Sequence, residues 1–386
     1  MSTDKPIRTT QADTSAGMID LAIGHPSPSL LPVELIRRAA ERRLATDFTP
    51  YLQYGYEPGD GYFRTALADF LSRHYGRQAR AGDLFISGGA SQALDLFCTL
   101  YTKPGDVVFV EEPTYFLALR IFEDHHLRIV SLPADEGGLV IEALEEQLQS
   151  LHPLFLYTVP THQNPSGATL PADRRWRLVE LSREKDFMIL ADEVYHLLTY
   201  GEQVPPPLAA FLSDAAILSL GSFSKILAPG LRLGWIQASP RLLRPLTECG
   251  MLDSGGGLNP FTSALVLSAI ETGMLDAHLE RLRKEYGSRL QAMKAALDGC
   301  LAGQVDFFPP GGGFFFWLRL LDGRDSATLL NAVKKCGTSF VPGSAFSAGK
   351  RLSDRLRLSF SYHPAETLRV GVQRLAESLF RNPPIV

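Results

Sequence analysis

Leu84–Ser87 (LFIS), Val107–Val110 (VVFV), Phe155–Val159 (FLYTV), Met188–Leu190 (MIL) and Ala216–Leu220 (AILSL) are short apolar runs. Amphipathic stretches stand between them: Ser91–Tyr101 (SQALDLFCTLY), Phe116–His125 (FLALRIFEDH) and Arg174–Asp186 (RRWRLVELSREKD). Runs too short for helices, alternating with helical patterns, are the signature of βαβ units. They predict an α/β core with a mostly parallel sheet and helices on both faces.

Downstream the pattern changes. After Asn259-Pro260 the chain reads as helix, broken near Gly273, with Leu275, Leu279, Leu282, Tyr286 and Leu290 at steps of three or four. That length suggests a connecting helix. Beyond it, GGGFFFWLRL (311–320), TSFVP (338–342) and RLRLSF (355–360) read as strands, and the residues from Ala365 as a closing helix, which together make a smaller α+β domain. The expected organisation is an N-terminal arm with part of the small domain over 1–45, a large domain over 46–275, and the connecting helix with the C-terminal small domain over 276–386. The Pro205-Pro206-Pro207 run reads as a surface connection.

Composition narrows the function classes. The 386 residues correspond to two or three domains of roughly 150 residues. The 38 Lys and Arg against 42 Asp and Glu leave a net charge of −4, without the basic excess that a nucleic acid or anionic membrane requires. With 45% hydrophobic and 21% charged residues the chain has the balance of a folded protein rather than a disordered one. Cys98, Cys249, Cys300 and Cys336 stand singly, the opening MSTDKPIRTT has no apolar signal region, and no apolar run approaches the ~18 residues of a membrane span. These features predict a reduced, cytoplasmic protein.

Chemistry concentrates in GSFSKILAPGLRLGW (221–235), where Lys225 follows a predicted strand and Arg232 lies seven positions on. A lone loop lysine is ordinarily a solvated cation. Beside Ser222, Ser224 and an arginine, it reads instead as an amine next to a phosphate pocket, the pairing that a pyridoxal phosphate Schiff base needs. SGGASQALDLF (87–97) places Gly88, Gly89, Ala90 and Ser91 between a strand and a helix, where backbone N–H groups favour a phosphate, although such a turn also serves simply to close a βα corner. ILADEVY (189–195) puts Asp192 at the end of an apolar strand, the edge at which α/β sheets bind ligands.

The string around Lys225 resembles the signature of fold type I, class I/II aminotransferases, nearest the branch of the 2-aminoadipate and kynurenine aminotransferases. Ordered matches run from Asp20 to Phe360. The resemblance implies pyridoxal 5'-phosphate held by the large domain, with Gly89, Ala90, Ser91, Ser222, Ser224 and Arg232 about the phosphate. Tyr115 of EEPTYF would stack on the ring, Asn164 of VPTHQNPSG would donate to its phenolic oxygen, and Asp192 would pair with its protonated nitrogen, with Tyr195 alongside. Tyr54 of LQYGYEPGDG would reach the phosphate of a neighbouring subunit, which implies a homodimer. Arg357 of RLRLSF would grip the substrate α-carboxylate, position relative to the closing Ser-Phe favouring it over Arg355, and Gly24 of IGHPSP would line the substrate site.

The implied activity is transfer of an amino group between an L-amino acid and a 2-oxo acid by a ping-pong route through an aldimine at Lys225. A lyase, replacement or ring-forming enzyme on the same site is the alternative, because the cofactor carries the chemistry and its surroundings decide the exit. A third reading, the aminotransferase-like effector domain of a transcription regulator, is disfavoured because the stretch ahead of Asp20 is too short for a winged helix.

Three departures touch the pocket: Ile23, His25 and His162 stand where the branch carries small or aromatic residues, so two imidazoles are expected near the substrate side chain, either packing or moving a proton. LDSGGGLNPF (252–261) suggests a mobile or closely approached backbone at Gly255 to Gly257. GSAFSAGKR (343–351) imitates a phosphate loop but has Arg351 where Ser or Thr should follow the lysine. His125-His126 lacks metal-ligand spacing and reads as a solvated helix end, so no metal is predicted.

Overall fold

The computed structural model describes residues 10–11, 17–201 and 203–381. Among them fourteen strands occur: β1 (Ile19–Asp20), β2 (Leu84–Ser87), β3 (Val107–Glu112), β4 (Arg128–Asp135), β5 (Gly138–Leu139), β6 (Phe155–Thr158), β7 (Met188–Asp192), β8 (Ile217–Ser222), β9 (Gly234–Ala238), β10 (Val305–Asp306), β11 (Phe315–Leu320), β12 (Thr338–Ser339), β13 (Val341–Pro342) and β14 (Arg355–Ser359). The large sheet has the order β2-β9-β8-β7-β6-β3-β4-β5. Its centre from β8 to β4 is parallel, and β9 runs antiparallel to both neighbours.

Alternation within the central strands explains why both faces are covered. Val108, Val110, Phe155, Tyr157, Leu190, Leu218 and Leu220 point into one hydrophobic cluster. Phe109, Leu156, Ile189, Ala191 and Ile217, their immediate neighbours, point into the other. Side chains of a strand alternate between faces, so a strand buried on both must be apolar throughout. The helix Ala90–Tyr101 contributes Ala93, Leu94 and Phe97 to the first cluster, and the helix Ala172–Lys185 contributes Leu178, Val179 and Leu181 to the second.

The helical region after Asn259 is two helices, Pro260–Glu271 and Met274–Cys300, separated at Gly273 with φ +71°. Leu275, Leu279, Leu282, Tyr286 and Leu290 are all buried, as their spacing predicts. The small sheet runs β10-β11-β14-β13, and the closing helix is Ala365–Ala376. TSFVP proves to be two strands in different sheets: β12 pairs with β1 and β13 with β14. Three strands of the large sheet were not anticipated, one of them the two-residue edge strand β5. Pro133 within β4 and its half-polar pattern disguise a strand near the sheet margin, and β9 lies inside the motif read for its chemistry.

Candidate active site

Five strands end at one edge of the large sheet, and each delivers part of the site. Gly89, Ala90 and Ser91 follow β2; Tyr115 follows β3; Asn164 follows β6; Asp192 ends β7, with Tyr195 just beyond; Ser222 ends β8, with Ser224 and Lys225 on the short helix Phe223–Ile226. Parallel strands share their carboxyl ends, so sequence segments far apart converge there.

Asp192 is buried, and its Oδ2 accepts a 2.9 Å hydrogen bond from the Tyr157 hydroxyl, while Oδ1 is buried without a partner. Burial pushes its carboxyl up to about 6, against the pull of the Tyr157 hydroxyl. Burial, with Arg357 and Arg232 in support, brings the Lys225 ammonium down to about 8. Its Nζ donates to the Gly24 carbonyl at 3.1 Å. A Cβ on Gly24 would stand 2.8 Å from the Phe315 ring, which accounts for a glycine in this crossing segment.

Arg357, on β14 between β11 and β13, is buried. It donates from Nη1 to Asn164 Oδ1 and from Nη2 to the Ala22 carbonyl, both at 2.9 Å, and its Nε has no partner. The guanidinium lies 4.1 Å from the Phe315 ring centre, 5.1 Å from Phe346 and 5.9 Å from Phe116. Arg355 stands instead beside Asp354 at 3.7 Å. Burial drives the half-buried Tyr115 hydroxyl up to about 12, and the Tyr195 ring meets Phe314 and Phe315 edge-on.

Gly89 has φ +96° and heads the helix Ala90–Tyr101, whose first turn carries no side-chain cap. A Cβ on Gly89 would be 3.0 Å from Arg232 Nη2, so the guanidinium rests against this turn. The Ser222 hydroxyl accepts from the Ser224 amide at 3.1 Å. Tyr54 stands apart in the single chain, 82% exposed.

The two histidines part company. His25 lies where the charges of Lys225 and Arg357 reach it; burial first and those cations second lower its pKa. His162, expected in the pocket, is 2% exposed and turned away: its Nε2 meets Thr199 Oγ1 at 2.9 Å, and a Cβ on Gly312 would be 2.3 Å from its ring. A backbone φ of +49° directs it there, a feature invisible in a motif. His125 ends its helix and pairs with Asp95 at 2.8 Å. The site residues missed from sequence are Tyr157, which looked like core in an apolar strand, and the phenylalanines around Arg357.

The donor set fits pyridoxal phosphate. The unpaired Asp192 oxygen suits a protonated ring nitrogen, the lowered Lys225 amine suits an aldehyde, and the turn at Gly89 with Arg232 suits a phosphate. Fold and site thus define a pyridoxal-phosphate enzyme built at the carboxyl edge of a mixed sheet. The sequence profile described as aminotransferase class I and II matches residues 16–375, and the chain belongs to that family.

Among its relatives is aromatic-amino-acid aminotransferase 1 of Thermococcus litoralis, 36% identical over 95% of this chain and 88% of the relative. The solved kynurenine aminotransferase of Pyrococcus horikoshii matches at 35% identity and a TM-score of 0.89, over 94% of this chain and 91% of that one. An alpha-aminoadipate aminotransferase of Thermus thermophilus, solved with N-(5'-phosphopyridoxyl)-L-leucine, matches at 32% and 0.86, over 94% and 92%. The branch resemblance read from the motifs holds. The chain is a pyridoxal-phosphate-dependent aminotransferase, and the lyase, replacement and ring-forming alternative is not supported.

Proposed function

We propose that this enzyme moves the amino group of an aromatic or long apolar L-amino acid to a 2-oxo acid by a ping-pong route, with Lys225 as the residue that carries the cofactor. One observation supports this above the rest: a buried amine, a buried carboxylate with a bare oxygen and a buried arginine with a bare Nε meet at one sheet edge. When bound, pyridoxal phosphate supplies an aldehyde that condenses with amines and a ring that delocalises the electron pair left at the substrate Cα.

The chain's own residues do the rest. Gly89, Ala90, Ser91, Ser222, Ser224 and Arg232 would hold the phosphate; Asp192 would keep the ring nitrogen protonated; Tyr115 and Tyr195 would shield the ring from water. Asn164 spends its carbonyl oxygen on Arg357, so its amide N–H is free to donate to the ring oxygen. Arg357 takes the α-carboxylate, and with Gly24 limiting the space beside it this orients the Cα–H bond. Lys225, with an amine brought near neutrality, is placed to take the proton from the substrate Cα and to return it on the cofactor side. The rings of Phe116, Phe315 and Phe346 beside Arg357 support an apolar or aromatic side chain.

We infer a homodimer in which Tyr54 reaches the partner's phosphate, a reducing, cytoplasmic setting, and the division into 1–45, 46–275 and 276–386. The exposure of Tyr54 supports the first and four free cysteines the second. Borohydride treatment of the loaded enzyme followed by peptide mapping is expected to put the pyridoxyl label on Lys225. A label on another lysine rejects the assignment. A panel of amino donors, followed by conversion of the cofactor to its amine form, is expected to rank aromatic and long apolar donors above acidic ones.

A further inference from the structure

The glycine-rich run Leu252–Phe261 is unused by the reading above, yet it touches both ends of the phosphate site. Asn259, at φ +53°, stands directly ahead of the helix Pro260–Glu271. Its Nδ2 donates to the Arg232 carbonyl at 2.6 Å and reaches the Ser87 carbonyl at 3.4 Å. Ser87 closes β2 just before the Gly88-Gly89-Ala90 turn.

Arg232 itself has φ +46°, a left-handed conformation that costs any residue with a Cβ free energy unless something holds it. In that conformation its guanidinium rests against Gly89. A single amide therefore ties the strained backbone of the arginine to the strand that carries the phosphate turn. The same run also packs on the segment that follows Tyr54: Gly257 N–H donates to the Gly55 carbonyl at 2.7 Å, and a Cβ on Gly257 would lie 1.8 Å from the Tyr56 carbonyl oxygen. Two of the three glycines, Gly256 and Gly257, are thus sites of close backbone approach, whereas Gly255 faces open space.

We propose that Asn259 is a positioning residue for the cofactor phosphate, its side-chain amide holding Arg232 in the left-handed conformation that aims the guanidinium at the β2–helix turn. The proposal rests on the assignment of Arg232 and Gly89 to the phosphate. Asparagine suits both demands, since it tolerates positive φ and offers two N–H donors to carbonyls.

The test uses the full-length enzyme and pyridoxal phosphate itself. Asn259→Gly accepts the same φ and removes only the amide; Asn259→Asp keeps the shape and turns an acceptor toward two carbonyls. The dissociation constant for the cofactor is expected to rise roughly fivefold to tenfold in Asn259→Gly, the size of one neutral amide–carbonyl hydrogen bond, and further in Asn259→Asp. The ³¹P resonance of the bound phosphate should move in both, while the melting temperature of the apoprotein changes little in Asn259→Gly. In the double variant Arg232→Gln/Asn259→Gly, the loss should match that of Arg232→Gln alone.

Unchanged cofactor affinity and ³¹P shift overturn the proposal, whether or not the melting temperature falls, because that pattern belongs to a helix cap alone. Additive losses in the double variant overturn it too. If Asn259→Gly does not fold, Asn259→Asp and the comparison with Arg232→Gln carry the same test. Failure of wild-type protein to take pyridoxal phosphate at Lys225 would instead reject the functional reading, and is seen before any variant is made.

Discussion

The Tyr157 hydroxyl binds one oxygen of Asp192 at 2.9 Å and leaves the other buried and bare. The contact orients the carboxylate while keeping a face open, at the expense of a desolvated charge in the unloaded protein. Burial raises the Asp192 pKa to about 6, so the stability this group contributes is present below about pH 4 and is lost as pH rises through about 6.

Asp192→Asn should therefore separate stability from catalysis. The apo variant is expected to melt above the wild type near neutrality, by an amount on the order of 2 kcal/mol, with the gap closing toward about pH 4. Turnover is expected to fall by roughly a hundredfold or more, since the ring nitrogen loses its anionic partner. Scanning calorimetry across pH and steady-state rates check the two halves, and an apo variant that melts below the wild type near neutrality contradicts the burial argument.

His162 provides an opposite pH signature. Burial, with Arg175 in support, takes its pKa down to about 3, so the stability tied to its neutral form is present above its ordinary value of about 6.5 and lost as pH falls toward about 3. His162→Asn, which tolerates the positive φ, should flatten the acid side of the melting-temperature profile and leave kcat within about twofold. His25→Leu, beside Lys225 and Arg357, should instead change KM for polar against apolar donors. With substrates deuterated at Cα or Cβ, the wild type is expected to exchange Cα alone; exchange at Cβ would reopen the elimination chemistry.

Tyr54 shares an exposed region of sequence with Leu52, Tyr56 and Tyr62, exposed by 66, 61 and 69% respectively. Large apolar groups left this bare are what the proposed dimer would cover with a second copy. Light scattering should find a dimer in the wild type and a monomer with poor cofactor retention in Leu52→Asp. Tyr54→Phe is expected to remain dimeric but to bind pyridoxal phosphate about threefold to tenfold more weakly. A fully active wild-type monomer would defeat both expectations.

The α/β core was legible because strands buried on two faces leave no choice of residue: Phe109 and Val110 face different clusters, yet both must be apolar. Lys225, Asp192 and Arg232 stood out as charged residues beside apolar strands, and the roles proposed for them came from the resemblance of the surrounding motifs to class I/II aminotransferases. The long helix followed from its own spacing.

What the tertiary structure alone decided lies in contacts between distant segments and in local backbone angles. Tyr157 reads as one more core aromatic until β6 and β7 align side by side and its hydroxyl meets Asp192. His162 and His25 look alike in sequence, and only φ at residue 162 turns one imidazole into the core while the other stays by Lys225. Asn259 stands beside a proline in a glycine-rich run, and its bond to Arg232 spans 27 residues. Composition and periodicity report what each segment must bury, because burial depends on the side chain alone. Which buried group meets which depends on chain geometry across the whole fold, and no local pattern encodes it.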